Sequence, residues 1–359
     1  MANRSRLAFR TFLFALVALL VFIPAGSALA CGGLVTPNGT VSLLKTTTLA
    51  AYHEGVEHYV TSFEFAGADA TEVGSIVPLP GVPTKVIKGG DWTLQRLILE
   101  TQPQPAERAV ALAAADSAGG ATVLLETQID ALDVTVLQGG AGDVGEWASD
   151  HGFFLPPDAP EVLEFYASRS PIFMAVKFDV GRANEQGVQQ GQGTPVHVVI
   201  PTPNPWVPLR ILALGRDEKD LVRADVYLLT DVRPATLPLA ERANGDEDQD
   251  GLIEEFSQEA SPSLLADLRS DRGMKWMPTD GMWLTQIRVN TLAGELTHDL
   301  AVDASGFGQP NPVAAGLRLP HLPDTNGWIV WLSLATLLAI GVAAAIGNRR
   351  HASDATASP

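Results

Sequence analysis

Cysteine is nearly absent from this chain of 359 residues, which contains a single one, Cys31. One cysteine cannot form an intramolecular disulfide, so a folded domain must be stabilised by its hydrophobic core alone. The roughly 280 residues between Cys31 and the C-terminal linker are enough to build one large or two modest domains.

Basic residues are also scarce. The chain has 24 lysines and arginines against 41 aspartates and glutamates, and its formal net charge is −17. An acidic surface repels phosphate polymers and anionic lipids, which argues against nucleic acid as a partner. Cations are the more natural ligands of such a surface.

Sequence signatures of catalysis are missing as well. There is no Gly-x-Ser-x-Gly nucleophile motif, and no two acidic residues stand out as a glycosidase pair. The segment 140–145 has the spelling of a dinucleotide fingerprint, but the helix expected after it, 146–150, is too short and no ribose-binding acid follows. A flexible loop is predicted there, and a non-enzymatic protein is favoured.

The N-terminus has the features of a signal peptide, residues 1–30. Three arginines precede an apolar stretch, 11–23, and small residues end it at Ala30. Cleavage after Ala30 would make Cys31 the first mature residue. The sequence 27–31 loosely fits a bacterial lipobox, so plain cleavage and lipidation of Cys31 both remain open.

The C-terminus predicts a membrane anchor. Residues 328–347 are uncharged and long enough for a spanning helix, which needs about 20 apolar residues. Arg349 and Arg350 predict that the tail, 348–359, is cytoplasmic, and the Gly/Pro-rich segment 305–327 predicts a stalk. The chain is therefore predicted to be a single-pass type I membrane protein with its ectodomain outside.

A second fate is open for this anchor. Residues 322–325 resemble a sortase signal, and cleavage after Thr325 would attach the ectodomain to the cell wall. The usual next residue is glycine, but here it is Asn326, with Gly327 one position late. The permanent anchor is therefore favoured over cell-wall attachment.

The region 31–304 predicts a strand-dominated α+β extracytoplasmic domain, with a possible internal boundary in the Gln/Gly-rich stretch 183–193. Strands are expected at 41–51, 58–66, 72–78, 83–88, 121–129, 133–137, 172–180, 196–200, 207–214, 222–229, 282–289 and 296–302. Helices are expected at 92–100, 105–116, 161–168 and 263–269.

The segment 53–58, with the sequence HEGVEH, resembles a zinc-protease motif without matching it. That motif needs histidines four residues apart on a helix, whereas here they are five apart around a turn at Gly55. A two-residue hairpin loop at Gly55 and Val56 would place His53 opposite His58 and Glu54 opposite Glu57. The two imidazoles could then begin a metal site or simply lie on the surface.

An acidic segment, 246–254, resembles the start of an EF-hand calcium loop. Its ligands would be the carboxylates at positions 1, 3 and 5, a backbone carbonyl, and a carboxylate acting through water: Asp246, Asp248, Asp250, Leu252 and Glu254. Position 12, usually a bidentate glutamate, is Ser257, so Glu255 or Glu259 would have to compensate. A solvated acidic linker is the alternative interpretation.

Several short motifs together resemble a bacterial family known as domain of unknown function 2330. They lie at 31–34, 76–81, 208–211 and 222–228, with Trp147, Gly152, Pro157, Tyr166, Phe173 and Lys177 between them. The resemblance covers most of 31–235 and implies an exported, membrane-tethered bacterial protein. It implies no activity. Many relatives carry more cysteines, so a disulfide role in them does not transfer.

These patterns predict an extracytoplasmic protein with a binding or envelope-structural role. The alternative is an envelope hydrolase with a structural Ca²⁺ ion. The partners expected are the membrane, through the C-terminal helix, and an envelope protein or glycan. Tryptophans could line a glycan surface or pack in the core: Trp92, Trp147, Trp206, Trp276 and Trp283.

Overall fold

The computed structural model describes residues 33–35, 42–66, 72–101, 121–186, 194–246 and 248–317. They belong to one compact unit that ends at Leu317. The predicted signal peptide, Ala30, Cys31, Thr325, the apolar run 328–347 and the expected helix 105–116 lie outside these residues. Within the described ranges, no helix has the length and apolar character that a membrane span requires.

Strands dominate the described part of the chain, as predicted. In chain order they are β1 (Gly33–Val35), β2 (Ser42–His53), β3 (Val56–Ala66), β4 (Glu72–Pro78), β5 (Lys85–Lys88), β6 (Thr122–Ile129), β7 (Leu132–Gln138), β8 (Ile172–Asp179), β9 (Val196–Pro201), β10 (Trp206–Val207), β11 (Leu221–Thr230), β12 (Ala235–Leu237), β13 (Glu241–Arg242), β14 (Gly251–Glu259), β15 (Trp283–Leu292) and β16 (Leu300–Asp303). The helices are α1 (Thr93–Thr101), α2 (Ala141–Asp150), α3 (Ala159–Ala167), α4 (Val180–Glu185) and α5 (Pro262–Ser270), with 3₁₀ turns at Arg210–Ala213 and Ala293–Glu295.

The largest sheet has eight strands in the order β13-β14-β15-β11-β2-β3-β9-β5. Neighbours are antiparallel except for the β2–β11 and β13–β14 pairs, which are parallel. Side chains alternate across a strand, so Ala50 of β2 faces one core, whereas Leu49 and Ala51 face another. This sheet is therefore buried on both faces.

One face of the large sheet shares a core with a five-stranded sheet of order β1-β4-β8-β7-β6 and with helices α2 and α3. The other face, called here the helix face, is covered by α1, α5 and the segment that follows α5. Their buried apolar side chains are Leu94, Leu97, Leu264, Leu265, Leu268, Met274, Met277 and Met282. A small third sheet, β10-β16-β12, lies beside the first core.

The two helices of the helix face are fixed by their caps. Ser261 accepts a 3.1 Å hydrogen bond from the Leu264 amide, and Pro262 begins α5 with a φ already suited to a helix. Asp271, just after α5, accepts from the Trp92 amide and the Thr93 hydroxyl at the start of α1. One carboxylate therefore ties the segment after α5 to the beginning of α1.

Several expected elements differ from the structure. Instead of a strand at 207–214, β10 stops at Val207 and a 3₁₀ turn follows, because Pro208 has no amide hydrogen for a strand partner and Asp299 accepts from the next two amides. Strand β14 was expected to be a linker and loop; its bulge between Glu254 and Phe256 breaks the alternation that would reveal it. Helix α2 begins at Ala141 rather than at 146, so the glycine-rich stretch is its first turn.

The described part of the expected stalk, 305–317, packs on the domain. Ala315 is buried, its carbonyl accepts from the Asp299 amide, and Arg169 donates to the Ala314 carbonyl. Gly/Pro-rich composition predicted an extended linker here, but backbone hydrogen bonds to a buried ion pair hold the segment in place.

Candidate functional site

Two histidines from different hairpins meet on the helix face of the large sheet. His58 lies on β3 and His197 on β9, and the Nδ1 atom of His58 is 3.0 Å from the Nε2 atom of His197. Both side chains are buried, with exposures of 8% and 1%. At this distance the two nitrogens share one proton, so one imidazole donates and the other accepts.

Trp276 covers this pair. Its ring stacks on His58 with the centroids 3.6 Å apart and the planes tilted by 10°. Trp276 belongs to the segment 271–282 between α5 and β15, called here the covering segment. Met274 and Met277 on either side are buried, and Arg269 donates to the Met277 carbonyl. These contacts hold the indole over the imidazole.

The pair is held neutral. Burial lowers the pKa of His58 to about 3, with further contributions from His197, His53 and Lys85. Burial also lowers the pKa of His197 to about 4, and Lys85 adds to the effect. The covering segment approaches closely because Gly273, at φ +76, has no side chain: a Cβ there would lie 3.2 Å from Nδ1 of His197.

A third histidine connects this pair to the end of the sheet. His53, the last residue of β2, lies 6.4 Å from the Trp276 ring, centroid to centroid. Its Nδ1 atom is 2.6 Å from Oδ1 of Asp231, which follows β11. Both members of this pair are partly exposed, so the row of rings ends at the surface.

An ordered loop beside Asp231 exposes a phenylalanine. Phe307 has 82% of its surface exposed, and Val232, 40% exposed, lies against the neighbouring Gly306. The Asp303 carboxylate accepts from the backbone and hydroxyl of Ser305 and from the Gln309 amide. These bonds lower the pKa of Asp303 against the raising effect of burial.

We call this end of the sheet the Phe307 rim, defined by His53, Asp231, Val232 and Phe307. It continues inward through Trp276 to the histidine pair. No local sequence pattern identifies these residues as a group, because they come from segments that are far apart in the chain.

The HEGVEH motif folds as a hairpin, but its predicted register is wrong. The turn residues are Glu54 and Gly55, both with positive φ, so His53 pairs with Val56, and His58 pairs with Ala51. Both imidazoles still lie beside Trp276 on one face. Among the described residues, no group of three or more His, Cys, Asp or Glu side chains is arranged to hold a metal ion.

The predicted calcium ligands lie at the edge of the large sheet. Asp246, Asp248 and Asp250 occupy the loop between β13 and β14, where Asp246 accepts from the Asp248 amide. Leu252 and Glu254 lie in β14 itself. Both carboxylate oxygens of Glu254 accept from Arg233 at 3.1 Å, so this ligand already has a cationic partner.

Two buried carboxyls occupy the core between the sheets. Asp299 accepts from the Tyr166 hydroxyl, the Leu209 and Arg210 amides and the Arg169 guanidinium. Glu57 is fully buried without a hydrogen bond to either oxygen, and burial raises its pKa to about 8, against a lowering effect of the Trp206 backbone.

A cavity between the two large sheets is narrow, ≈ 20 Å³, and holds about one water molecule. Thr46, Thr48 and Thr61 line one side of it, and Val207 and Leu212 are among the residues that line the other. Two of the tryptophans that could pack in the core or line a glycan surface do pack in the core: Trp147 and Trp206 are buried.

The fold and site together describe a strand-dominated α+β domain with a closed core and an exposed rim. Residues 25–302 match the bacterial family described as "Uncharacterized protein conserved in bacteria (DUF2330)". The chain belongs to this family, as its motifs predicted.

Other comparisons are distant. The chain matches none of the curated proteins. Among solved structures it is similar to baculovirus P35, with 11% identity, a TM-score of 0.38, and coverage of 74% of this chain and 97% of that one. A mutated baculovirus P35 after caspase cleavage gives 10% identity, a TM-score of 0.37, and coverage of 72% and 99%. TM-scores this low do not define a shared fold.

Proposed function

We propose that this protein is a membrane-tethered, extracytoplasmic bacterial binding protein that contacts an envelope protein through the Phe307 rim. The observation that carries the proposal is Phe307 itself, a large apolar side chain held in water by an ordered loop. Fully burying a phenylalanine is worth about 1.5–3 kcal/mol. Because Phe307 is exposed in the free domain, burying it against a partner would contribute that energy to binding.

The construction of the loop supports this role. Gly306 and Gly308, with φ of +83° and +69°, flank Phe307, and Asp303 fixes the loop from inside. A loop already ordered loses little conformational entropy when a partner binds, which favours affinity. Aromatic residues in such positions commonly dominate binding energy at protein interfaces.

The sequence supports the tether. Ten residues, 318–327, lie between Leu317 and Trp328, where the apolar run begins, and they span at most about 40 Å when fully extended. Within the domain, the segment ending at Leu317 packs at the start of β16, next to Asp299, whereas the Phe307 loop follows the end of β16. A partner can therefore reach the rim without meeting the point where the chain leaves the domain.

Photo-crosslinking on living cells tests the binding role. A photoreactive amino acid is placed at Phe307 in the full chain, and at Phe154, 69% exposed on another part of the domain, as the matched control. We expect one discrete adduct from position 307 and not from position 154. Val232→Asp, which places a charge beside Phe307, should abolish that adduct. Adducts of equal yield from both positions would contradict the proposal.

The anchor is tested separately by mass spectrometry of the mature termini and by membrane fractionation. We expect a chain that begins at Cys31, retains residues 348–359 and stays with the membrane after alkaline washing. Thr325 as the last residue would show cell-wall transfer instead. A fatty acyl mass on Cys31 would decide between the two fates of that residue.

A further inference from the structure

We propose that the His58–His197 pair is an acid-sensitive latch that holds the covering segment, with Trp276, on the helix face and releases it when both imidazoles are protonated. The proposal concerns a conformational change, and it does not depend on which partner binds the rim.

The shared proton is the first reason. With both rings neutral, a single N–H bridges the 3.0 Å between Nδ1 of His58 and Nε2 of His197. One added proton can be placed on the far nitrogen of His58, so that this ring still donates across the bridge. A second proton leaves an N–H on each facing nitrogen, and the hydrogen bond becomes a repulsion between two cations.

The charges around the pair offer no compensation for that second proton. Lys85 of β5 is already positive, and His53 of β2 is paired with Asp231. In the covering segment, Asp271 is engaged by the start of α1 and by the Arg272 amide, and the Arg272 guanidinium lies 3.4 Å from Asp91. The remaining charges of the segment, Lys275 and Asp280, are both exposed to solvent, and Asp280 accepts a 3.3 Å hydrogen bond from the Thr279 hydroxyl.

The covering segment is attached both at its ends and in its middle. Its ends are fixed by the Asp271 cap and by the Ala260 amide bond to the Met282 carbonyl. Its middle is held by the buried Met274 and Met277 side chains, by the Arg269 bond to the Met277 carbonyl and by the Trp276 stack on His58. The Trp276 stack is made directly on the histidine pair, and Gly273 lies against His197, so charging the pair acts on the middle of the segment.

The direction of the pH effect follows from linkage. The pair is neutral in the closed state down to about pH 4, whereas released histidines titrate near 6.5. The open state therefore binds more protons between these values, and opening becomes more favourable as the pH falls. For each histidine the opening constant rises by up to about tenfold per pH unit in this window.

Hydrogen–deuterium exchange of the full chain in detergent, read on the peptide 271–282 and corrected for the intrinsic pH dependence of exchange, tests the latch. We expect protection there to fall at least about tenfold between pH 6.5 and 4.5. A peptide from Leu132–Gln138 in the other core should stay protected, since loss of protection in both would indicate global unfolding and overturn the proposal.

Matched variants test whether the two paired histidines are the groups whose protonation opens the segment. In the double variant His58→Asn, His197→Gln, amide groups replace the two facing nitrogens without titrating, so protection should no longer depend on pH. If that variant does not fold, His197→Gln alone should halve the slope. His151→Asn, which removes another histidine stacked on a tryptophan, Trp147 at 4.1 Å, should behave like the wild type. A double variant that opens in acid like the wild type would overturn the proposal.

Discussion

The hydroxyl of Tyr166 on α3 donates a 2.8 Å hydrogen bond to Asp299, which lies just before β16. The same carboxylate accepts from Arg169 and from two backbone amides, and the Tyr166 oxygen in turn accepts from the Ile211 amide. Burial raises the pKa of Asp299, and the donors around it oppose that effect. This network joins α3, the 3₁₀ turn and β16.

Removing this carboxylate is expected to destabilise the domain strongly. Asp299→Ala removes the carboxylate that accepts from Arg169, from the Tyr166 hydroxyl and from two amides, and breaking a buried ion pair in this way typically costs about 3–5 kcal/mol. Urea unfolding of the full chain, followed by tryptophan fluorescence, measures the loss. Asp267→Ala removes an exposed partner of Arg96 and should change stability by less than about 1 kcal/mol. Equal losses in the two variants would show that Asp299 is not a structural centre.

Glu57 should make the domain less stable in alkali. Its pKa is raised from 4.5 to about 8, so the folded state holds a proton that the unfolded state has released. The stabilisation is complete below pH 4.5 and is lost as the pH rises to about 8. Glu57→Gln removes this titration, so its stability relative to the wild type should increase by up to about 1.4 kcal/mol per pH unit in that window.

The control for Glu57 is Glu126→Gln on β6, whose side chain is exposed. Its stability relative to the wild type should be nearly independent of pH. Unfolding midpoints at pH 5, 7 and 9 are sufficient for the comparison. If Glu57→Gln follows the wild type at all three, the carboxyl is ionised when folded and the prediction is wrong.

Two substitutions in the Phe307 loop should differ in their effect on the stability of the domain. Asp303→Ala removes the acceptor of three hydrogen bonds and should cost about 1–3 kcal/mol. Phe307→Ala removes a side chain that makes little contact with the domain and should change stability by less than about 0.5 kcal/mol. Thermal unfolding of both variants measures the contrast. A large loss from Phe307→Ala would mean that the side chain serves packing rather than a partner.

The sequence predicted the kinds of elements better than their partners. The β2–β3 hairpin was predicted from its valine- and threonine-rich arms, but its register slipped by one residue because glycine fits either position of a two-residue turn. In the structure Glu54 takes the left-handed conformation beside Gly55, a choice that the packing of both strands in a large sheet decides. A local pattern does not contain that packing.

The histidine pair shows the same limit more sharply. His58 belongs to a recognisable local motif, HEGVEH, whereas His197 lies 139 residues away and belongs to no motif. The two meet because β9 pairs with β3 in the register His58–Val199, which sets His197 one diagonal step away. Such long-range strand pairing carries no signal in a single sequence, so the candidate site could not be predicted from it.

The calcium loop provides the last prediction. Because Arg233 holds both oxygens of Glu254, calcium must displace an ion pair before this carboxylate can act as a ligand. We expect weak binding by the wild type, near the 10⁻⁴–10⁻³ M common for extracellular sites. Arg233→Ala removes the closer of the two arginines paired with Glu254, leaving Arg242 at 3.8 Å, and should tighten binding, whereas Asp248→Ala should abolish it. Calorimetry with millimolar calcium measures all three proteins, with Arg272→Ala as the control for removing an exposed arginine elsewhere. No heat of binding from any of them would show that the acidic segment is a solvated loop.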